Sequence, residues 1–258
     1  MSALRLTLVR HATLHVAMGD TRILIDPMLG PAGSQPPIPE TENQVPNPLV
    51  ELPIPAASLV AGLTAAIVTH LHPDHLDQEG AAALKGGVPV LCQEREAPAL
   101  TRAGLKAVPL TEPTDLGGVR VTPTSGRHGH GAIAREMGPV LGVVLAAEGL
   151  PTVYVAGDTV WCEEVAQAIE AHAPDVIVVN AGAPAFVGTE PITMNAADVV
   201  SVAEAAPEAV VIPVHMEAVN HCAEPREAVR AAAEAAGVGD RVHVPADGQT
   251  LGLSADPA

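Results

Sequence analysis

The sequence predicts an α/β fold. Short apolar segments such as Ala65 to Thr69 and Val176 to Asn180 alternate along the chain with helix-like segments such as Glu163 to His172. Alternating strands and helices are typical of proteins whose sheets carry helices on their faces. The 258 residues can build one large domain with an ample core, and we expect a single domain over residues 1–258.

The first half of the chain is predicted to be mostly strands, with three helices between them. Apolar runs bounded by turn residues indicate strands, and Gly86-Gly87 is suited to end a helix because glycine readily adopts the left-handed backbone. The predicted strands are Leu4 to Val9, His15 to Ala17, Ile23 to Ile25, Ala65 to Thr69, Val88 to Cys92 and Lys106 to Leu110. The predicted helices are Ala56 to Gly62, Gln78 to Lys85 and Arg95 to Arg102.

The second half continues the alternation. Asn195 to Ala205 carries an acidic residue near its start, which favours a helix there because of the helix dipole, and Gly237 is suited to close the last helix. The predicted strands are Val119 to Thr124, Val140 to Ala146, Thr152 to Ala156, Val176 to Asn180, Val210 to Val214, Val242 to Val244 and Thr250 to Leu253. The predicted helices are Glu163 to His172, Asn195 to Ala205 and Arg226 to Ala236.

A proline-rich loop at about residues 31–55 interrupts this pattern. Loops of this length within compact domains are usually lids, binding loops or disordered segments. We expect a lid or a subunit contact, and an idle surface loop is the alternative.

Charge and cysteine content restrict the classes of partner. The formal net charge is −17, which argues against a broad basic surface for nucleic acid or an anionic membrane. The cysteines are odd in number and form no CxxC pair, which indicates a reducing compartment. The first residues resemble a strand rather than a signal peptide, and no apolar run reaches the roughly 20 residues that span a bilayer. We expect a cytoplasmic protein that acts on a small molecule, with a monomer and a homo-oligomer both open.

The segment from Thr69 to Asp77 combines three histidines with aspartates directly after an apolar run. Imidazole nitrogen and carboxylate oxygen are ligands that suit zinc and its first-row neighbours. In an extended segment, alternate side chains share a face, so that His70, His72 and Asp74 point the same way while His75 diverges from Asp74. The spacing therefore predicts ligands for two metals about 3.5–4 Å apart. A polar loop that holds histidines by chance does not account for this spacing.

Further ligands are expected where other apolar strands stop, because such strand ends meet at one edge of a sheet. His128, Asp158 and His215 occupy three such positions. Together with the first segment they make seven ligands, and Asp158 is suited to bridge both ions. His130 lies two residues after His128 and is the alternative ligand; otherwise we expect it to face the substrate.

These motifs resemble those of the metallo-β-lactamase superfamily, over nearly the whole chain. Thr69 to Asp77 matches its HxHxDH motif, followed in order by His128, Asp158 and His215. The resemblance implies a four-layer αββα sandwich with the metals at one edge. It implies His70, His72 and His128 on one metal, Asp74, His75 and His215 on the second, and Asp158 shared. Arg10 to Thr13, Leu24 to Pro27 and Gly157 to Thr159 suggest the branch with ascorbate-6-phosphate lactonases and N-acylphosphatidylethanolamine phospholipases D.

The segment Arg10-His11-Ala12-Thr13 also resembles the strand-end motif of the histidine phosphatases, in which the histidine accepts the phosphoryl group. A short motif is a hypothesis that its context must support. The phosphatase interpretation leaves the histidines at 70–75 unexplained. We therefore expect His11 to support the metal ligands, as residues around metal sites commonly do.

The leading prediction is a dinuclear metal-dependent hydrolase that acts on a small soluble ester, lactone or phosphodiester. Two divalent ions, most suitably Zn²⁺ with Mn²⁺ or Fe as alternatives, would lower the pKa of a bound water to about 7 and supply hydroxide. Asp74 is a candidate to orient that nucleophile or carry its proton. His221 is a candidate for proton transfer, with packing as the alternative. The candidates for substrate binding are Arg127, His130, Glu217 and Asn220.

Two other classes remain as alternatives. Some members of the superfamily hold two irons and carry out redox chemistry, which iron content and a visible absorption band would reveal. A non-catalytic metal-binding protein is the second alternative. It is disfavoured because a structural site is a closed four-ligand cage, whereas this ligand set leaves room for water.

Overall fold

Two β-sheets packed face to face form the centre of the computed structural model, which describes residues 4–253. The strands are β1 (Leu4–Arg10), β2 (Thr13–Met18), β3 (Thr21–Ile25), β4 (Ala65–Val68), β5 (Pro89–Cys92), β6 (Lys106–Pro109), β7 (Thr114–Leu116), β8 (Val119–Thr124), β9 (Gly142–Ala146), β10 (Val153–Val155), β11 (Val176–Asn180), β12 (Val210–Val214) and β13 (Thr250–Leu253). The helices are α1 (Ala56–Val60), α2 (Gln78–Leu84), α3 (Ala97–Arg102), α4 (Gly131–Met137), α5 (Glu163–His172), α6 (Ala196–Ala205) and α7 (Arg226–Ala235).

Both sheets are mixed. The first has the strand order β13-β1-β2-β3-β4-β5-β6, and the second has the order β12-β11-β10-β9-β8-β7. In the first sheet β3 to β6 run parallel, and in the second β10, β11 and β12 run parallel. The carboxyl ends of these parallel strands lie at one edge of each sheet, where a binding site is expected in such folds.

The alternation of side chains along each strand builds three apolar layers. In β4, Ile67 faces the core between the sheets while Val68 faces the outer core beneath α2 and α3. In β11, Val178 faces the central core while Ile177 packs beneath α5, α6 and α7. Strands covered on both faces need apolar residues at every position, which explains their uninterrupted apolar runs. The layers are therefore helices, sheet, sheet and helices, and the predicted αββα sandwich is confirmed.

The structure differs from the predicted elements in three places. The strand predicted at Val242 to Val244 is wrong, because only an isolated bridge joins Val242 to Val211. The chain then turns away to Pro245, whose carbonyl oxygen accepts a hydrogen bond from Arg226 Nε at 2.9 Å. The structure also contains β7 and α4, which the sequence analysis did not predict. Neither has a continuous apolar run that would have revealed it.

The loop at 31–55 has no regular strand or helix up to the start of α1, apart from a bridge between Gln35 and Asn47. The buried side chain of Arg10 anchors its two ends, donating to the carbonyl oxygens of Met28, Gly30 and Val50 at 2.8 to 3.0 Å. The loop is therefore fixed against the first sheet. Between residues 4 and 253, no helix has both the length and the apolar character needed to cross a bilayer.

Candidate metal centre

The side chains that follow four strands converge at the edge between the two sheets. His70 follows β4, His128 follows β8, Asp158 follows β10 and His215 follows β12. All four are buried. The predicted convergence of strand ends therefore exists in the folded chain.

One group of imidazoles consists of His70, His72 and His128, whose nearest nitrogens all lie within 4.8 Å of one another. His70 Nε2 is 2.8 Å from His72 Nδ1. An oxygen of Asp158 lies 3.3 Å from His128 Nε2 and 3.7 Å from His70 Nε2. The structure brings His128 into this group, whereas His130 is exposed at the N-cap of α4.

A second group consists of His11, Asp74, His75 and His215, with ligand atoms again within 4.8 Å of one another. Asp74 Oδ2 lies 3.1 Å from His11 Nε2, 3.5 Å from His215 Nε2 and 3.9 Å from His75 Nε2. Asp158 reaches this group as well, 3.3 Å from His75 Nε2. Asp158 therefore lies between the two groups.

Hydrogen bonds behind the site fix the orientation of these side chains. Asp26 accepts from the backbone N–H and the hydroxyl of Thr69 at 2.7 Å, and lies 2.8 Å from His75 Nδ1. His128 Nδ1 is 2.9 Å from the carbonyl oxygen of Ile192. These contacts turn the Nε2 atoms of His75 and His128 toward the centre. Such outer contacts commonly orient metal-binding histidines.

Burial and neighbouring charges shift the pKa values of the side chains in the site. Burial lowers the pKa of His70 well below its ordinary value. For His215, burial acts in the same direction, but the carboxylates of Asp158 and Asp74 outweigh it and raise the pKa to about 10. Burial would raise the pKa of Asp158, yet His75 and His215 hold it well below its usual range. A protonated His215 thus compensates the nearby carboxylates in the metal-free chain, whereas burial keeps His70 neutral.

The residues present fit a divalent cation. The Nε2 atoms of His75, His128 and His215 are buried without a hydrogen-bond partner among the described residues, an arrangement that is costly unless another group satisfies them. Several unpaired imidazole nitrogens and two carboxylates around one point form a ligand set for zinc or a first-row neighbour. The arrangement therefore has the chemistry of a metal centre.

A cavity of about 340 Å³ opens onto this cluster. His72, Asp74, His128, Asp158 and His221 form its polar floor. Its walls are mainly apolar and come chiefly from the 31–55 loop, with further residues from α4 and the 186–192 segment. The wall residues are Met28, Gln35, Pro36, Pro37, Ile38, Pro39, Asn47, Pro73, Met137, Phe186 and Ile192.

None of the four predicted substrate-binding residues, Arg127, His130, Glu217 and Asn220, lines this cavity. Arg127 is exposed and bonded to Glu164 at 3.0 Å, and Glu217 is paired with Arg226. Asn220 is buried, but its side chain is hydrogen-bonded to the 31–55 loop. The two catalytic candidates, Asp74 and His221, both line the cavity. His221 Nε2 lies 3.7 Å from Asp74 Oδ2.

Two supporting residues were missed that the strand-end rule could have identified. Asp26 follows β3, and Asn180 ends β11 and donates to Asp158 at 2.6 Å. The apolar wall at 36–39 had no comparable signal, because an irregular loop has no periodicity from which to infer the direction of its side chains.

A four-layer αββα sandwich with a histidine and aspartate cluster at the sheet edge defines the class of metallo-β-lactamase-fold proteins. The beta-lactamase superfamily domain matches residues 21–216. The chain is 37% identical over 251 residues to the UPF0173 protein YddR of Bacillus subtilis (strain 168), covering 96% of this chain and 99% of that protein. It is 30% identical over 197 residues to a UPF0173 metal-dependent hydrolase of Methylobacterium nodulans, covering 72% of this chain and 76% of that protein. The chain therefore belongs to the UPF0173 metal-dependent hydrolase family of the beta-lactamase superfamily.

Solved structures agree with this assignment. A possible metal-dependent hydrolase from Veillonella parvula DSM 2008 has a TM-score of 0.93 and 32% identity, covering 98% of this chain and 100% of that one. The isothiocyanate hydrolase from Delia radicum gut bacteria has a TM-score of 0.91 and 29% identity, covering 97% of this chain and 100% of that one. The resemblance to the lactonase and phospholipase D branch remains a prediction.

Proposed function

We propose that this protein hydrolyses small, uncharged organic electrophiles and that its cluster holds two divalent cations, most suitably Zn²⁺ with Mn²⁺ or Fe as alternatives. The cavity is the observation that carries the substrate class. Its walls are mainly apolar, its floor is the metal-binding cluster, and no lysine or arginine between residues 4 and 253 lines it. On a chain of net charge −17, an anionic substrate would find no cationic side chain in the cavity.

Two groups of side chains would hold the cations. His70, His72 and His128 form one group, Asp74, His75 and His215 form the other, and Asp158 lies between them. When bound, such cations lower the pKa of a bound water to about 7 and polarise the bond under attack. This arrangement requires no serine or cysteine nucleophile.

The side chains of the chain itself orient the reactants and move the proton. Asp74 is held at Oδ2 by His11 and faces the cavity, where it would orient the attacking water. His221 lies on the same floor, 3.7 Å from Asp74 Oδ2, and would deliver the proton to the leaving atom. The apolar walls would exclude competing water and align the remainder of the substrate.

An isothiocyanate is the first substrate to test. The isothiocyanate hydrolase from Delia radicum gut bacteria shares 29% identity over nearly the whole chain, and isothiocyanates are uncharged. Water would add to the central carbon of R–N=C=S, forming a C–O bond while a proton goes to nitrogen. Cleavage of the C–N bond in the resulting thiocarbamate would release R–NH₂ and carbonyl sulfide, so that one water is consumed and all atoms balance.

Neutral esters and lactones are the second candidate. They present an electrophilic carbon without charge, so the same cavity would admit them. Phosphodiesters, which the sequence also allowed, rank third. The two cations would balance the charge of the phosphoryl group, but no lysine or arginine among the described lining residues would bind its oxygens as well.

The test compares substrates of each class with the metal-loaded protein. Uncharged isothiocyanates, neutral lactones and nitrophenyl esters, and a nitrophenyl phosphodiester are assayed beside total metal analysis. We expect turnover of a neutral class and much weaker turnover of the phosphodiester. His72→Ala should lower kcat/KM by at least about a hundredfold, since it removes a proposed metal ligand.

The matched control is His243→Ala, which removes an exposed histidine that belongs to neither proposed metal group. This variant should retain the wild-type rate and metal content. A preference for the phosphodiester would overturn the substrate class. Undiminished activity in His72→Ala, or after removal of metal by a chelator, would overturn metal-dependent hydrolysis at this site.

A further inference from the structure

The connection between β1 and β2 contains an unusual residue, His11. Its backbone is in the left-handed region with φ of 58°, which is uncommon outside glycine, although asparagine, aspartate and histidine adopt it more often than other residues. The ladder between the two strands shifts register between Leu8 and Arg10, immediately before it. This local geometry turns a fully buried imidazole into the metal centre.

His11 contacts two proposed ligands of the same metal group. Its Nε2 lies 3.1 Å from Asp74 Oδ2, and its carbonyl oxygen accepts a hydrogen bond from the backbone N–H of His215 at 2.9 Å. The rings of His11 and His215 are also in contact, with 3.7 Å between their centres. One residue of the first sheet thus touches a ligand in the 69–77 segment and a ligand at the end of the second sheet.

These contacts give His11 a role that differs from ligation. Asp74 Oδ2 also lies 3.5 to 3.9 Å from the nitrogens of His75, His215 and His221. Among the described residues, the contact with His11 is the hydrogen bond that fixes the Asp74 side chain. A neutral His11 with its proton on Nε2 would donate to this oxygen. The remaining Asp74 oxygen and lone pairs would stay available to a cation.

We propose, on the basis of the two-cation site proposed above, that His11 is a positioning residue that holds Asp74 and His215 in place and thereby sets the affinity of the Asp74–His75–His215 group for its cation. The group of His70, His72 and His128 lies on the other side of Asp158 and would be affected less. The consequence is selective: losing the His11 contact weakens binding of the cation at the Asp74–His75–His215 group rather than at the whole site.

The experiment measures binding of Zn²⁺ by competition with a chromophoric chelator, and of Co²⁺ by its visible spectrum. His11→Asn is the loss variant, because asparagine tolerates the left-handed backbone but is too short to reach Asp74. His11→Gln is the conservative variant, because its amide nitrogen can replace Nε2–H. His15→Ala is the control, since it removes a half-buried histidine of β2 that belongs to neither metal group.

We expect His11→Asn to bind one of its two cations about 10- to 100-fold less tightly and the other nearly as wild type does, while His11→Gln and His15→Ala stay within a few-fold of wild type for both. Unchanged affinity in His11→Asn overturns the proposal. An equal loss in His11→Gln also overturns it, because a side chain that can still donate to Asp74 would then not preserve the affinity. If His11→Asn does not fold, the crystal structure of the zinc-loaded wild-type protein decides. His11 Nε2 bonded to Asp74 supports the positioning role, and His11 Nε2 bonded to zinc refutes it.

Discussion

The side-chain oxygen of Asn220 accepts a hydrogen bond from the backbone N–H of Ile38 at 2.9 Å, although the two residues are 182 positions apart. The Asn220 amide nitrogen donates back to the same loop, to Thr41 Oγ1 at 2.7 Å and to the carbonyl oxygen of Asn43 at 2.6 Å. Asn47 completes the contact, donating to the Asn220 oxygen at 2.7 Å. Asn220 therefore fastens the loop that forms one wall of the cavity to the segment that carries His221.

Replacing Asn220 by alanine should release this wall. Buried partners in the loop would lose their hydrogen bonds, at a cost of about 1–3 kcal/mol in the free energy of unfolding. We expect faster proteolysis within residues 31–55 and a higher KM for an uncharged substrate, with kcat and metal content changed less. Limited proteolysis, steady-state kinetics and metal analysis provide the measurements.

The control for this prediction is Glu42→Ala, at an exposed position of the same loop. It should leave proteolysis and KM near wild-type values. An Asn220→Ala protein that resists protease as well as wild type does would show that other contacts hold the loop.

Replacing Asp26 should weaken metal binding, although Asp26 is not itself a proposed metal ligand. Asp26 fixes Thr69 through two hydrogen bonds and lies 2.8 Å from His75 Nδ1, so that Asp26→Asn would leave one of these groups without its acceptor. Loss of such a supporting contact commonly lowers metal affinity by about 10- to 100-fold. Asparagine suits the φ of 46° at this position, so the backbone should be retained.

Zinc affinity of Asp26→Asn, measured by chelator competition, checks the expectation. Asp20→Asn makes the same chemical change at an exposed turn and should bind zinc as wild type does. Equal affinities for the two variants would contradict a supporting role for Asp26.

Metal binding should release protons and become tighter as the pH rises. In the metal-free chain, burial opposes the effect of Asp158 and Asp74, yet the pKa of His215 is raised from 6.5 to about 10. His215 therefore holds a proton at neutral pH that must leave before Nε2 can bind a cation. Calorimetry in buffers of different ionisation enthalpy should detect this release. Binding without proton uptake by the buffer at pH 7 would contradict it.

The same shift sets the pH dependence of the metal-free fold. A histidine whose pKa is higher in the folded state contributes stability that is fully present below its unfolded value of 6.5 and is lost as the pH rises through about 10. The His215 contribution to metal-free stability should therefore decline over that alkaline range. The metal-loaded protein should lack this decline, because its ligands carry no such proton. Thermal melting of both forms from pH 6 to pH 10 makes the comparison, and parallel curves would contradict the expectation.

The sequence by itself determined the ligand chemistry and the positions of most strands. His70, His128, Asp158 and His215 could be selected because each follows an apolar run, and period-two burial and strand-end geometry are local properties of the chain. The family resemblance then implied the αββα layers. Where the local signal was weak, as in β7, α4 and Val242 to Val244, the prediction omitted or misplaced an element.

Only the tertiary structure decided which side chains share the cavity. Asn220 looked like a substrate contact beside His221, but packing of the two sheets brings Asn47, 173 residues away, within hydrogen-bonding distance of it. The same packing leaves Arg127 at the surface and makes Ile38 part of the cavity wall. Such distances depend on how the whole chain folds back on itself. They cannot be obtained from the identity or spacing of neighbouring residues.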